Sequence, residues 1–151
     1  MQVILRQLGD CSIRRADPSD LISVMEINLK TLPEHYSDYF YESLLQELPE
    51  AFLVAEIDGK IVGYEMCKTE FGFSNFKKLG FVKKGHVVSI AVLDEHRKKG
   101  IGKALAKSSN FVWNLTSVIL NSKVNSVFVN SPTLKIEFTN EIIPSWESSS
   151  I

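Results

Sequence analysis

Apolar positions along this chain fall into short blocks with two different periods. Leu21, Ile22, Val24, Met25 and Ile27 recur at the spacing of a helix face. Asp17 and Pro18 ahead of them suit the N-cap and first helical position. Pro33 disfavours helical geometry at Leu32 and so ends that stretch. A second helix is predicted from about Ser37 to Glu47, with Tyr39, Phe40, Leu44 and Leu45 as its buried side. Ser12 to Ala16 reads as a first strand. Phe52–Ile57 and Ile61–Met66 read as two more, joined by the tight turn Asp58-Gly59. Phe71 to Phe76 is aromatic and interrupted by glycine, which predicts a loop or an irregular strand end. His86–Val92 is a nearly continuous apolar run, the pattern of a central strand. Helical character resumes near Gly100 and is predicted to continue to about Val118, and Val124–Val129 is a candidate strand. Ser148 to Ile151 is expected to fray. Strands alternating with helices, and no internal repeat, predict an α/β (α+β) domain.

The chain has 151 residues, enough for one domain with a real core. Its formal net charge of −1 gives no reason to expect nucleic acid or an anionic membrane as partner. Any anion site must therefore come from a local cluster of cations. Cys11 and Cys67 stand alone, with no metal-spaced partner, which suits a reducing compartment; no metal site is expected. No apolar run reaches membrane-spanning length and no signal-peptide core opens the chain, so a cytoplasmic location is expected.

The dense basic cluster lies directly after the central strand, in Arg97-Lys98-Lys99-Gly100-Ile101-Gly102-Lys103. A turn that opens a helix presents unpaired backbone N–H groups, the usual docking place for a phosphate. Gly100 and Gly102 let the backbone approach a bulky anion, because no Cβ intervenes. Arg97, Lys98, Lys99 and Lys103 surround it with positive charge.

The R-x-x-G-x-G pattern after a strand resembles the pyrophosphate loop of the GNAT acetyltransferases. Three further stretches carry the likeness: Leu32-Pro33-Glu34-His35-Tyr36, Gly72-Phe73-Ser74-Asn75, and Lys84-Gly85-His86-Val87-Val88-Ser89-Ile90-Ala91-Val92. Residues 12 to 107 are similar to the archaeal N-terminal acetyltransferases and to the ribosomal-protein alanine acetyltransferases. The resemblance implies a GNAT fold, a mixed and mostly antiparallel sheet flanked by helices that splits open along His86–Val92. It implies transfer of acetyl from acetyl-CoA to the α-amine of a protein or peptide N-terminus, with the ribosome or nascent chains as candidate partners. It assigns Ile90, Ala91 and Val92 to acetyl-CoA through main-chain atoms, Arg97 to Lys103 to the pyrophosphate, and Asn130 to the same ligand. Glu34 and Tyr36 fall on the loop that lines the peptide groove. His86 matches a histidine that removes the amine proton through water, work suited to a side chain with an unperturbed pKa of roughly 6.5. His35 and His96 read as surface residues. No cysteine lies in the matched motifs, so direct attack is expected rather than an acyl-enzyme.

After Lys107 the composition shifts to serine and asparagine, and the likeness weakens. The position of a family glutamate falls on Asn125, and that of a tyrosine near the thiolate falls on Glu137, followed by Phe138. The family's closing strands have no evident counterpart, so residues 108–151 are expected to be divergent or truncated. A working enzyme that relies on His86 and backbone groups is one reading. A last third made degenerate, for example by a change of reading frame, is another. Acetylation of lysine or a small amine, and a catalytically silent coenzyme-A-binding module, remain as alternatives.

Overall fold

The computed structural model describes residues 2–73, 81–109, 123–130 and 135–141. Seven strands form one sheet: β1 (Ile4–Leu8), β2 (Cys11–Arg15), β3 (Phe52–Ile57), β4 (Lys60–Phe73), β5 (Phe81–Val92), β6 (Lys123–Asn130) and β7 (Lys135–Glu141). Their spatial order is β1-β2-β3-β4-β5-β7-β6. Every registered pair among the described residues is antiparallel; none is parallel, where a mixed, mostly antiparallel sheet was expected. Helices α1 (Leu21–Thr31) and α2 (Asp38–Glu47) follow β2, and a third, α3, covers residues 101–109 after β5.

The sheet lies between these helices, and β3 shows why its sequence is apolar throughout. Alternate residues of a strand face opposite sides. Phe52 and Val54 pack with Val24, Ile27, Tyr41 and Leu44 of α1 and α2. Leu53 and Ala55 pack with Ile101, Ala104 and Leu105 of α3. Both faces of the strand are covered, so neither needs polar residues.

Several elements differ from expectation. The strand β1 was not predicted: it is an edge strand with one partner, and only Leu5 among its residues is even half-buried. Asp17 caps a short 3-10 turn, Pro18–Asp20, rather than α1 itself, and Asp20 closes a reciprocal capping box. On α1 the buried positions are Leu21, Val24, Ile27 and Asn28, whereas Ile22 faces out. On α2 they are Tyr41, Leu44 and Leu45, the i, i+3, i+4 stripe, which leaves Tyr39 exposed. Of the two alternatives for Phe71–Phe76, a loop or a strand end, Phe71–Phe73 take the second: they end β4, in register with Phe81–Lys83. β7 sits between β5 and β6, and β6 covers the predicted Val124–Val129. The expected continuation of α3 to Val118, the segment Ser74–Phe76, Lys77, Lys78 and the terminal serines lie outside the described residues.

A buried ion network fastens β2 to its neighbours. Arg14 meets the Asp20 carboxylate at 2.7 and 3.0 Å and Glu56 at 2.6 Å. The hydrogen bond to Asp20 holds the Arg14 guanidinium charged despite its burial.

Candidate active site

The site grows out of a defect in β5. Met66 pairs with Ser89 and Cys67 with Val87, so Val88 is an extra residue on the β5 side. Such a bulge bends its strand and re-aims the residues beyond it. On its other edge β5 is in register with β7 only at Lys84, Gly85 and His86. From Val87 to Val92, among the described residues, β5 therefore has a ladder to β4 alone. A split was expected along His86–Val92; His86 is instead in register with β7, and the one-sided stretch begins at Val87. Gly63 permits the remaining ladder to close tightly, since a Cβ there would lie 2.9 Å from the Ala91 carbonyl oxygen.

A cleft of about 540 Å³ opens beside this free edge. One wall is Ile90, Ala91 and Val92; the other is Arg97, Lys98 and residues 100–103, with Ala106 beyond. The loop between them has left-handed backbone at Lys98 (φ 62°) and Gly100 (φ 83°). Alternation of this kind turns successive N–H groups to one side and makes an anion-binding concavity. The first N–H groups of α3 add to it, because they have no partner within the helix. Of the predicted loop residues, Lys99 alone does not line the cleft. Arg97 is turned toward its own strand: Nε donates to the Val92 carbonyl at 3.1 Å and the guanidinium meets Asp94 at 3.0 Å. It holds the loop against the strand end while remaining half exposed.

The loop after α1 approaches the same region. Leu32 lines the cleft, but Glu34 and Tyr36 do not. Those two form a pair, the Tyr36 hydroxyl donating to Glu34 Oε2 at 3.2 Å. Tyr36 stacks on Phe40 with ring centroids 4.9 Å apart and meets Tyr41 edge-on. Burial, with the Glu34 charge second, pushes its hydroxyl pKa up to about 12. His86, half-buried, lies in register with Lys68 of β4 and Glu137 of β7. Asn130 is the last residue of β6, in register with Lys135.

Several polar groups near the site were not foreseen. His96 is no bystander: it lines the cleft, and its Nδ1 is buried with no hydrogen-bond partner among the described residues. His35 is exposed yet bonded to the buried Asn28. An asparagine in register with Leu21, Val24 and Ile27 was the available signal, because a polar residue on the apolar stripe of a helix needs a buried partner. Glu65, wholly buried on β4, accepts from Ser109 Oγ at 3.0 Å, and burial pushes its pKa up to about 7.

Residues 21–109, from α1 through α3, match the acetyltransferase (GNAT) family. The chain belongs to this family. GNAT acetyltransferases use acetyl-CoA as acyl donor. The cleft offers an apolar strand wall and a cationic, left-handed loop. Two archaeal relatives are named N-alpha-acetyltransferase. That of Sulfurisphaera tokodaii is 46% identical over 129 residues, covering 82% of this chain and 75% of its own. That of Sulfolobus acidocaldarius is 47% identical over 119 residues, covering 76% and 71%. Among solved structures, Arabidopsis thaliana Naa50 in complex with a bisubstrate analogue superposes with TM-score 0.59 at 15% identity, covering 87% of this chain and 99% of its own. Ard1 from Thermoplasma volcanium gives 0.54 at 18% identity, covering 90% and 99%. These likenesses bear on the fold. Among the described residues no helix is long and apolar enough to cross a membrane, and no group of three metal-ligating side chains occurs.

Proposed function

We propose that this GNAT protein transfers acetyl from acetyl-CoA to the α-amine of protein N-termini, met as free peptides or as nascent chains at the ribosome, in the cytoplasm. What supports the reading is the meeting of the β5 edge, the cationic loop and Leu32 around one cleft, in a chain almost half identical to archaeal N-alpha-acetyltransferases. We read residues 1–151 as one such domain, family-like over 12–107 and divergent beyond.

Acetyl-CoA supplies an activated acetyl thioester. Ile90, Ala91 and Val92 hold its pantetheine arm through backbone groups that β7 does not engage. Residues 97–103 hold the pyrophosphate with N–H groups and the charges of Lys98 and Lys103, with Lys99 adding positive charge from outside the cleft lining. Arg97 fixes the loop through Val92 and Asp94 and leaves one face of its guanidinium to the ligand. Asn130 belongs to the same ligand by family position. Glu34 and Tyr36 line the peptide side, where the Glu34 carboxylate suits a substrate α-ammonium. The amine must lose a proton before it can attack, and His86 accepts it, directly or through one water.

The test is acetyl transfer to short peptides beginning with Ser, Ala or Met-Leu, read by mass. Acetylated peptide is expected, with a loss on the order of 10²–10⁴ in rate for His86→Ala, the range for one proton-transfer group. An otherwise identical peptide with a blocked α-amine and a free lysine is expected to remain unmodified; its acetylation would move the assignment to side-chain amines. Asn125 and Glu137, standing where relatives carry acid–base groups, favour a second reading as a silent module. That reading requires acetyl-CoA binding with no product from any peptide.

A further inference from the structure

Four polar side chains form an unbroken line from the Leu32–Tyr36 loop to β5. His35 Nδ1 lies 3.2 Å from Asn28 Oδ1, Asn28 Nδ2 donates to the Tyr64 hydroxyl at 2.9 Å, and the Tyr64 and Ser89 hydroxyls are 2.7 Å apart. Asn28, Tyr64 and Ser89 are 1%, 0% and 5% exposed. The Asn28 carbonyl oxygen can only accept, so His35 Nδ1 is the donor to it. The Asn28 amide nitrogen donates to Tyr64, and either hydroxyl of the Tyr64–Ser89 pair can donate to the other. The three bonds are contiguous, an arrangement in which each bond polarises the next.

The line runs through apolar surroundings. Val24, Ile27, Tyr41, Met66 and Ala91 belong to the cluster that encloses Tyr64. A member displaced from its partner would be left unpaired in that core at a cost of roughly 1–3 kcal/mol. The two ends stand on different substrate-bearing segments. His35 lies between Glu34 and Tyr36. Ser89 immediately follows the Val88 bulge and precedes Ile90, Ala91 and Val92.

We infer that the His35–Asn28–Tyr64–Ser89 line couples the two substrate sites, so that seating coenzyme A along β5 sets the peptide loop and a bound peptide sets β5. The inference rests on the assignment of those two segments under the proposed function. His35, Asn28, Tyr64 and Ser89 are positioning residues here: none is placed against a reacting atom.

The experiment is calorimetric titration of a Ser-initiated peptide into the protein with and without saturating coenzyme A, which carries no acetyl group and allows no turnover. Coupling free energies between sites commonly amount to about 5- to 150-fold in affinity. The wild type is expected to bind peptide at least about fivefold tighter with coenzyme A present. In Tyr64→Phe, which removes the central hydroxyl, that ratio is expected to fall to near one. Individual affinities divide out of the ratio, so general damage to either site does not imitate the result. His35→Ala tests the same line at its exposed end should Tyr64→Phe fold poorly. His35→Asn places an amide N–H where Nδ1–H stood and is expected to restore the ratio. A wild-type ratio of one, or the full ratio retained in Tyr64→Phe or His35→Ala, overturns the coupling. Absence of coenzyme A binding to the wild type defeats the proposed function and the coupling with it; acetyl transfer with a ratio of one defeats the coupling alone.

Discussion

Glu65 shows what a single buried carboxyl does to this protein. Ser109 satisfies Oε1, while Oε2 has no hydrogen-bond partner among the described residues. Burial raises the pKa from 4.5 to about 7, and the hydrogen bonds from Ser109 and Cys67 only partly oppose it. The folded chain thus holds this proton more tightly than the unfolded one. The stability linked to it is fully present below pH 4.5, declines as pH rises, and is gone above about pH 7. Each pKa unit corresponds to about 1.4 kcal/mol, so the decline amounts to about 3 kcal/mol. Glu65→Gln is expected to remove it: urea unfolding between pH 4.5 and 8 should show a flatter profile, with the variant more stable than wild type at pH 8. An unchanged slope would mean that Glu65 is ionised in the fold. No pattern along the chain signals this burial, because a strand covered on both faces has no solvent side on which a carboxylate would be expected. The stripe of α1 was more legible, and Asn28 was its one polar member.

Elements were readable where their pattern reflects burial and unreadable where it does not. Phe52–Ile57, the Asp58-Gly59 turn and His86–Val92 were recognisable because covered strands must be apolar and tight turns need particular residues. The edge strand β1 escaped, since water already satisfies its outer side. The bulge at Val88 and the strand end at Phe73 depend on how β4 and β5 register, which no single segment encodes. Two glycines, Gly63 on β4 and Gly102 on α3, separate the structural and ligand-binding demands on the region around Val92. At Gly63 a Cβ would face the Ala91 carbonyl oxygen at 2.9 Å and Val92 Cγ2 at 3.2 Å, and a backbone oxygen yields only if the strands part. At Gly102 the nearest atom is Val92 Cγ2 at 4.0 Å, an ordinary contact, but the position lines the cleft. Gly63→Ala is expected to lose about 1–3 kcal/mol of stability. Gly102→Ala is expected to fold at least as stably, since alanine favours a helix by roughly 0.5–1 kcal/mol, yet to bind acetyl-CoA more weakly. Thermal unfolding and calorimetric titration of both variants check this crossed pattern; a Gly102→Ala protein with wild-type affinity would place the ligand elsewhere.

At the scale of the whole molecule the charge is almost balanced, at −1, while Arg97, Lys98, Lys99 and Lys103 concentrate cations on one exposed turn. The order of elements up to Lys107 carried the family, with matched motifs between α1 and α2, along β5 and in the turn into α3. Attraction between an anionic ligand and an otherwise neutral protein must then be local and screened by salt, with a Debye length of about 8 Å at physiological ionic strength. A ligand present at about a hundred times its Kd stabilises the fold by about 2.7 kcal/mol. For a domain of this length each kcal/mol raises Tm by roughly 2–4 °C. Acetyl-CoA at that excess is therefore expected to raise Tm by about 5–11 °C in low salt. At the same ligand concentration in about 0.5 M salt the rise should shrink, because exposed cations lose most of their pull on the pyrophosphate. Lys98→Ala, at the left-handed residue of the turn, should show a smaller rise in low salt and a weaker dependence on salt. A rise indifferent to both would mean that the strand wall, and not the cationic turn, holds the ligand.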